Sequence, residues 1–245
     1  MKKILGFTAV FILVFLVVSS AHADLNNGLI AYYPFSGDAN DASGNGFNGT
    51  IVGSILSSDQ FDNPNNTYQF NGTSDYIDTI PAHLIPSSIS FSAWVYPTRL
   101  LENGMQIFGS IESASGGKDG INGSYGGNGN LIKFSCYQNN LLVGQTVTTL
   151  TTALPLNIWS HVVFILNDTN EASIYVDGDV VGSENFSTAC DTHDRTLMIG
   201  KSVRSQNQSF EGKIDEVRIY DRALTTAEVQ QIYNEEKPEE DDDDY

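Results

Sequence analysis

The chain has 245 residues, with 12 Lys and Arg against 30 Asp and Glu and a formal net charge of −18. So acidic a protein repels nucleic acid and anionic membrane surfaces, and it favours cations as ligands or shielding ions. The length is enough for one β-sandwich with a full hydrophobic core.

Residues 1–23 read as a signal peptide. Lys2 and Lys3 precede an apolar run from Ile4 to Val18, and Ala21-His22-Ala23 is a small-x-small cleavage signal. The run, about fifteen residues, is short for a membrane span, so no membrane insertion is expected after cleavage. The expected location is secreted, periplasmic or at the cell surface. Residues 24–234 then form the domain. Residues 235–245, Glu-Lys-Pro-Glu-Glu and four Asp among them, read as a disordered acidic tail.

Leu29 to Phe35 begins as a strand and passes into a loop holding Asp38, Asn40, Asp41 and Ser43 among several glycines. Two readings of this loop stand side by side. Its oxygens suit a hard cation such as calcium, or they cap their own backbone as Asx turns. An EF-hand does not fit: the fifth and twelfth loop positions would be Ala42 and Gly49.

Short β-rich runs follow. Tyr68–Phe70 and Tyr76–Ile80 flank Asn71-Gly72, which predicts a hairpin turn. Ile89–Tyr96 alternates, with Ile89, Phe91, Ala93 and Val95 on one face; Trp94 and Tyr96 on the other face imply that it too is covered. Gln106–Ile111 is a further strand. The stretch 112–130 is so polar and glycine-rich that it reads as a long surface loop. Leu131–Gln138 and Leu141–Val147 form a hairpin, and Trp159–Leu166 a strongly apolar strand in which His161 reads as a neutral core histidine. Asp177-Gly178 turns between two β-branched runs, and Phe210–Tyr220 ends the β part. The last element is a helix opened by the capping box Thr225-x-x-Glu228.

Cys136 and Cys190 are the two cysteines, and in an exported chain an even pair reads as a disulfide. On the chain-entropy model, it would contribute roughly 4 kcal/mol. Neither cysteine has zinc-ligand spacing to enough partners.

Several stretches together resemble the laminin G-like domains of the concanavalin A-like lectin/glucanase superfamily. They are Gly28-Leu-Ile-Ala-Tyr-Tyr-Pro-Phe with Asp38-Ala-Asn-Asp-Ala-Ser-Gly-Asn-Gly, Phe91-Ser-Ala-Trp-Val-Tyr-Pro, Trp159-Ser-His-Val-Val-Phe, Ile174-Tyr-Val-Asp-Gly, and Gly212-Lys-Ile-Asp-Glu-Val-Arg-Ile-Tyr-Asp-Arg-Ala-Leu. The resemblance implies an all-β fold, a two-sheet antiparallel jelly-roll sandwich with one short C-terminal helix and with its first and last strands adjacent. It also implies a structural calcium ion. Asp41 and Ser43 match the opening motif, Asp38 matches it more loosely, and Asp215 matches the acid of the closing strand.

The same superfamily includes β-glucanases, and glycoside hydrolysis needs two carboxylates flanking one bond. The glucanase acidic box is absent, and Glu216 with Arg218 on its face reads as an ion pair. No Gly-x-Ser-x-Gly or His-Glu-x-x-His motif occurs. The expectation is a non-catalytic, monomeric binding module whose partner is a glycan or a cell-surface protein. Tyr125, Tyr137 and Phe186 are the candidate stacking residues for a sugar. Carbohydrate binding is the leading reading, protein adhesion the alternative, and a glycoside hydrolase the least favoured.

Overall fold

A computed structural model describes residues 22–239 apart from 82–85, 103, 111–119, 128–130, 138–144, 191–195 and 202–207. The signal segment up to residue 21, the Asn139-Asn140 turn and the end of the tail lie outside the described residues. Two antiparallel sheets pack face to face, as the alternating apolar runs require.

The first sheet contains β1 (Leu29–Tyr33), β3 (Ile55–Ser57), β4 (Thr67–Asn71), β6 (Ile89–Pro97), β11 (Ser160–Leu166), β12 (Glu171–Val176), β13 (Asp179–Asn185) and β15 (Glu211–Tyr220). Its order is β13-β12-β11-β6-β15-β4-β3, with β1 also paired to β15. The second contains β2 (Thr50–Val52), β5 (Tyr76–Asp78), β7 (Met105–Gly109), β8 (Gly120–Gly126), β9 (Leu131–Tyr137), β10 (Gln145–Ala153) and β14 (Met198–Ile199), in the order β10-β9-β8-β7-β14-β5-β2. The first and last strands lie side by side as expected: Tyr32 is registered on Arg218 and Tyr33 on Val217.

The core forms where the inner faces meet. Phe91 stacks on Phe108 at 4.0 Å between ring centroids, and Phe164 meets Phe108 edge-on at 5.2 Å. Such aromatic pairs add about 0.5–1.5 kcal/mol to their area burial. The outer face of the first sheet is covered as Trp94 foretold. Helix α1 (Thr226–Glu236) lays Val229 and Ile232 over Val163, Ile165 and Tyr220. Tyr233 stacks on Trp94, whose indole N–H donates to Glu236. The Thr225–Glu228 capping box forms, and Arg222 clamps Glu228 with two hydrogen bonds of 2.7 and 2.9 Å. The helix runs two residues past the expected domain end at 234, because Glu236 is held by Trp94 and Arg218.

Two expectations change. Asn71-Gly72 does not turn a hairpin: β4 and β5 belong to different sheets. The Asn71 side chain caps Thr73 and Ser74, and the Gly72 N–H donates to Phe210, so the same residues steer the chain across the sandwich. Second, the stretch 112–130 is not all loop. Its middle is β8, which pairs with β7 on one side and β9 on the other. Glycine there serves packing, because a Cβ on Gly123 would sit 2.2 Å from the Phe108 ring.

Cys136 and Cys190 are joined. The bridge fastens the end of β9 to the segment after β13. Phe186 packs on Phe134, and Gln145 hydrogen-bonds Thr188, which secures the same segment.

Candidate functional site

The outer face of the second sheet carries a groove of about 310 Å³. Period-2 alternation builds it. Ile121 and Tyr125 of β8 and Ile132, Phe134 and Cys136 of β9 enter the core, so Asn122, Ser124, Lys133, Ser135 and Tyr137 emerge on the other side. Register then aligns them in rows. Gln106, Ser124, Lys133 and Thr148 oppose one another across β7, β8, β9 and β10. Asn122, Ser135 and Thr146 form the next row. Four strands at about 4.8 Å spacing give a polar platform roughly 15 Å wide.

Two acceptors of the platform lack donors. Ser135 and Thr146 satisfy each other at 2.9 Å. Gln106 Oε1 and Asn122 Oδ1 are buried and accept no hydrogen bond from the protein. Gln106 is 5 % exposed and Asn122 6 %. A buried carbonyl left without a donor costs about 1–3 kcal/mol, so these two are unmet acceptors in adjacent rows of the groove. Among the described lining residues there is no carboxylate, and one cation, Lys133.

The three aromatic candidates separate. Tyr137 lines the groove. Tyr125 is core instead, its hydroxyl donating to the Leu154 carbonyl at 2.8 Å. Phe186 is core as well, against Phe134. Tyr125 lies on the inward side of β8 with Ile121, and Phe186, just past β13, packs inward on Phe134. Asn122 and Ser124 were missed because β8 reads as loop. The alternation Ile121, Tyr125 inward against Asn122, Ser124 outward was the signal available.

The expected calcium ligands do not converge. Asp41 accepts hydrogen bonds from the backbone N–H groups of Tyr32, Ser43 and Phe47 at 2.9–3.0 Å. Burial raises its pKa, but these bonds outweigh that and hold it below the usual carboxylate range. Asp38 accepts from the Asn40 N–H and side-chain amide, and Ser43 Oγ donates to the Ile30 carbonyl. This is the turn-capping alternative. Asp215 lies elsewhere, in a cavity of about 400 Å³ with Tyr32, Asp59, Gln60, Glu216 and Arg218 among its walls. Burial first, then the neighbouring Glu216 and Asp59, push its carboxyl up to about 8, against one hydrogen bond from the Glu216 N–H. Glu216 is paired with Arg218 at 3.7 Å and receives the Tyr32 hydroxyl. Among the described residues no three acids, histidines or cysteines converge closely enough to hold an ion as they stand.

His161 is fully buried, its Nε2 2.7 Å from Ser92 Oγ, with no acid bonded to its ring. Burial chiefly, then Arg218, push its pKa down to about 3, so it is a neutral core group.

Comparison with known proteins follows this geometry. Domain 4 of AbnA, a GH43 extracellular arabinanase from Geobacillus stearothermophilus, solved in complex with arabinotriose, superposes with a TM-score of 0.67 at 23 % identity, over 84 % of this chain and 98 % of that one. The binding domain of Paraclostridial Mosquitocidal Protein 1 gives a TM-score of 0.67 at 18 % identity, over 86 % of this chain and 53 % of that one. The Botulinum Neurotoxin serotype G binding domain gives 0.64 at 17 %, over 84 % and 50 %. By sequence, Paraclostridial mosquitocidal protein 1 of Paraclostridium bifermentans is 27 % identical over 78 residues, which is 32 % of this chain and only 6 % of that protein's length. A laminin G-type family model of the concanavalin A-like lectin/glucanases superfamily matches residues 71–230. The chain belongs to that superfamily.

Proposed function

We propose that this protein is an exported, non-catalytic carbohydrate-binding module, and that the groove across β7–β10 is where the glycan lies. The observation that carries this reading is the pair of buried, unpartnered amide oxygens of Gln106 and Asn122 in a groove whose lining also holds the hydroxyls of Ser124, Ser135, Tyr137, Thr146 and Thr148. Sugar hydroxyls are the donors such acceptors lack. Tyr137 adds an aromatic wall. Hydrolysis does not fit the groove, since a glycosidase needs two carboxylates across the bond and the described lining offers none. The solved arabinanase domain, whose partner in the crystal is arabinotriose, supports a glycan as the ligand class. A leader-like N-terminus and the formed disulfide support export.

A glycan array probed with the wild type and with Gln106→Ala/Asn122→Ala tests the reading. Binding to a defined saccharide, lost in the double variant, supports it. Silence on every glycan would hand the site to the protein-adhesion alternative.

Calcium enters the reading at a changed place. We propose that the ion sits in the Asp215 cavity rather than in the opening loop, because Gln60 Oε1 is an orphaned acceptor lining the same cavity as Asp59, Asp215 and Glu216. Millimolar calcium then raises the melting temperature of the wild type by several degrees and leaves that of Asp215→Asn unmoved. An unchanged wild-type melting temperature removes the ion.

A further inference from the structure

Lys133 stands apart from the other cations of this protein. Arg99 pairs with Glu211, Arg218 with Glu216 and Glu236, and Arg222 with Glu228. Lys201 lies 3.7 Å over the Tyr76 ring, Lys213 donates to the Ser58 carbonyl, and Lys237 approaches the Tyr233 ring. Among the described residues, Lys133 alone has neither an ion pair, a hydrogen bond nor a ring partner. Its Cα partners across the sheet are Ser124 and Thr148, both uncharged. Its ammonium reaches the end of β8, where a Cβ on Gly127 would lie 3.2 Å from Nζ. It is half-buried and lines the groove.

Two facts make this lone charge informative. The chain carries 30 carboxylates, yet none of the described lining residues is an acid. A half-buried ammonium without an ion pair among the described residues leaves its strongest interaction unmade. We propose that the ligand supplies the missing charge: the groove takes a saccharide bearing an oxyanion, a carboxylate or a sulfate ester, seated on Lys133. The inference rests on the groove being the glycan site. Gln106, Asn122, Ser124 and Thr148 then hold neutral hydroxyls of the chain on either side of the acidic group. A compact ammonium suits this task, since it accepts an oxyanion from several directions without the planar match that an arginine demands. On a chain of net charge −18, a stretch whose described lining holds no acid is where an anionic saccharide meets less repulsion.

The test uses the full mature protein and matched ligand pairs. Oligogalacturonate is compared with its fully methyl-esterified form, which keeps the chain and removes the charge. Sulfated galactan is compared with unsulfated galactan. One charged form should bind about tenfold or more tightly than its neutral counterpart. Lys133→Gln, checked by melting temperature to be folded, should remove that preference. Preference for the carboxylate pair or the sulfate pair identifies the source of the oxyanion. Equal binding of charged and neutral forms overturns the inference while leaving the glycan groove in place. So does a preference that Lys133→Gln leaves intact. If neither member of either pair binds, the inference falls together with the groove reading.

Discussion

Asn122 and Gln106 sit where stability alone would not put them. Each is buried among polar neighbours with its amide oxygen unmatched. Replacing either by Ala deletes an unsatisfied acceptor, so the free protein should lose no stability and should gain up to about 1 kcal/mol, while glycan affinity falls at least about tenfold. Thermal melts beside titration calorimetry separate the two effects; a fall in both would mark the amides as structural. His161 gives a second residue-scale prediction. Its pKa in the fold, about 3, lies below the ordinary 6.5, so the unfolded chain binds the extra proton first. Stability is complete above pH 6.5 and falls as pH drops through the window towards 3, by roughly 3 kcal/mol at pH 4. His161→Met should flatten that limb of the pH–stability curve, and an unchanged slope would contradict the assignment. Glu228 adds to acid lability at lower pH. The hydrogen bonds from Arg222 hold it at about 2 from an ordinary 4.5, so its contribution disappears only as pH falls from 4.5 through 2.

At the scale of elements, β8 decides whether a site exists. It lies between β7 and β9 and supplies Asn122 and Ser124. Gly123 is tightly covered by the Phe108 ring, so Gly123→Val should force the core apart and cost about 1–3 kcal/mol or more, visible as a lowered denaturation midpoint. A neutral substitution would mean that β8 is not packed as described. The disulfide matters here because Cys136 immediately precedes Tyr137 and ties that end of β9 to the segment after β13. Cys136→Ser/Cys190→Ser should lose roughly 4 kcal/mol on the chain-entropy model, and binding should weaken through Tyr137. Much of this layer was legible. Ile89–Tyr96 announced a strand covered on both sides, Asp177-Gly178 a tight turn with both residues at positive φ, and Thr225–Glu228 a capped helix. β8 was not, because three glycines in seven residues look like a loop until Phe108 shows why one of them must be small. Asn71-Gly72 misled for a related reason: local sequence encodes a turn but not which sheet the next strand joins. In the opening loop, Asp38 and Asp41 suit an ion or a backbone cap equally well in composition. In the structure the Tyr32, Ser43 and Phe47 N–H groups turn towards Asp41 as a backbone cap, a direction that composition does not encode.

For the whole molecule, the balance of charge and the placement of polar groups tell one story. In a chain of net charge −18, the described lining of this groove holds no acid, arranges amides and hydroxyls in register, and leaves two of its acceptors and its one ammonium without partners. The family fold explains the sandwich. The Asp215 cavity, crowded with acids, is the rival location for ligand chemistry. The most direct test of the account is an amide chemical-shift map of the labelled protein titrated with a saccharide that it binds. The account predicts saturable shifts at Asn122, Ser124, Lys133 and Ser135. Shifts confined to the residues around Asp215, with the β8–β9 rows silent, would contradict it.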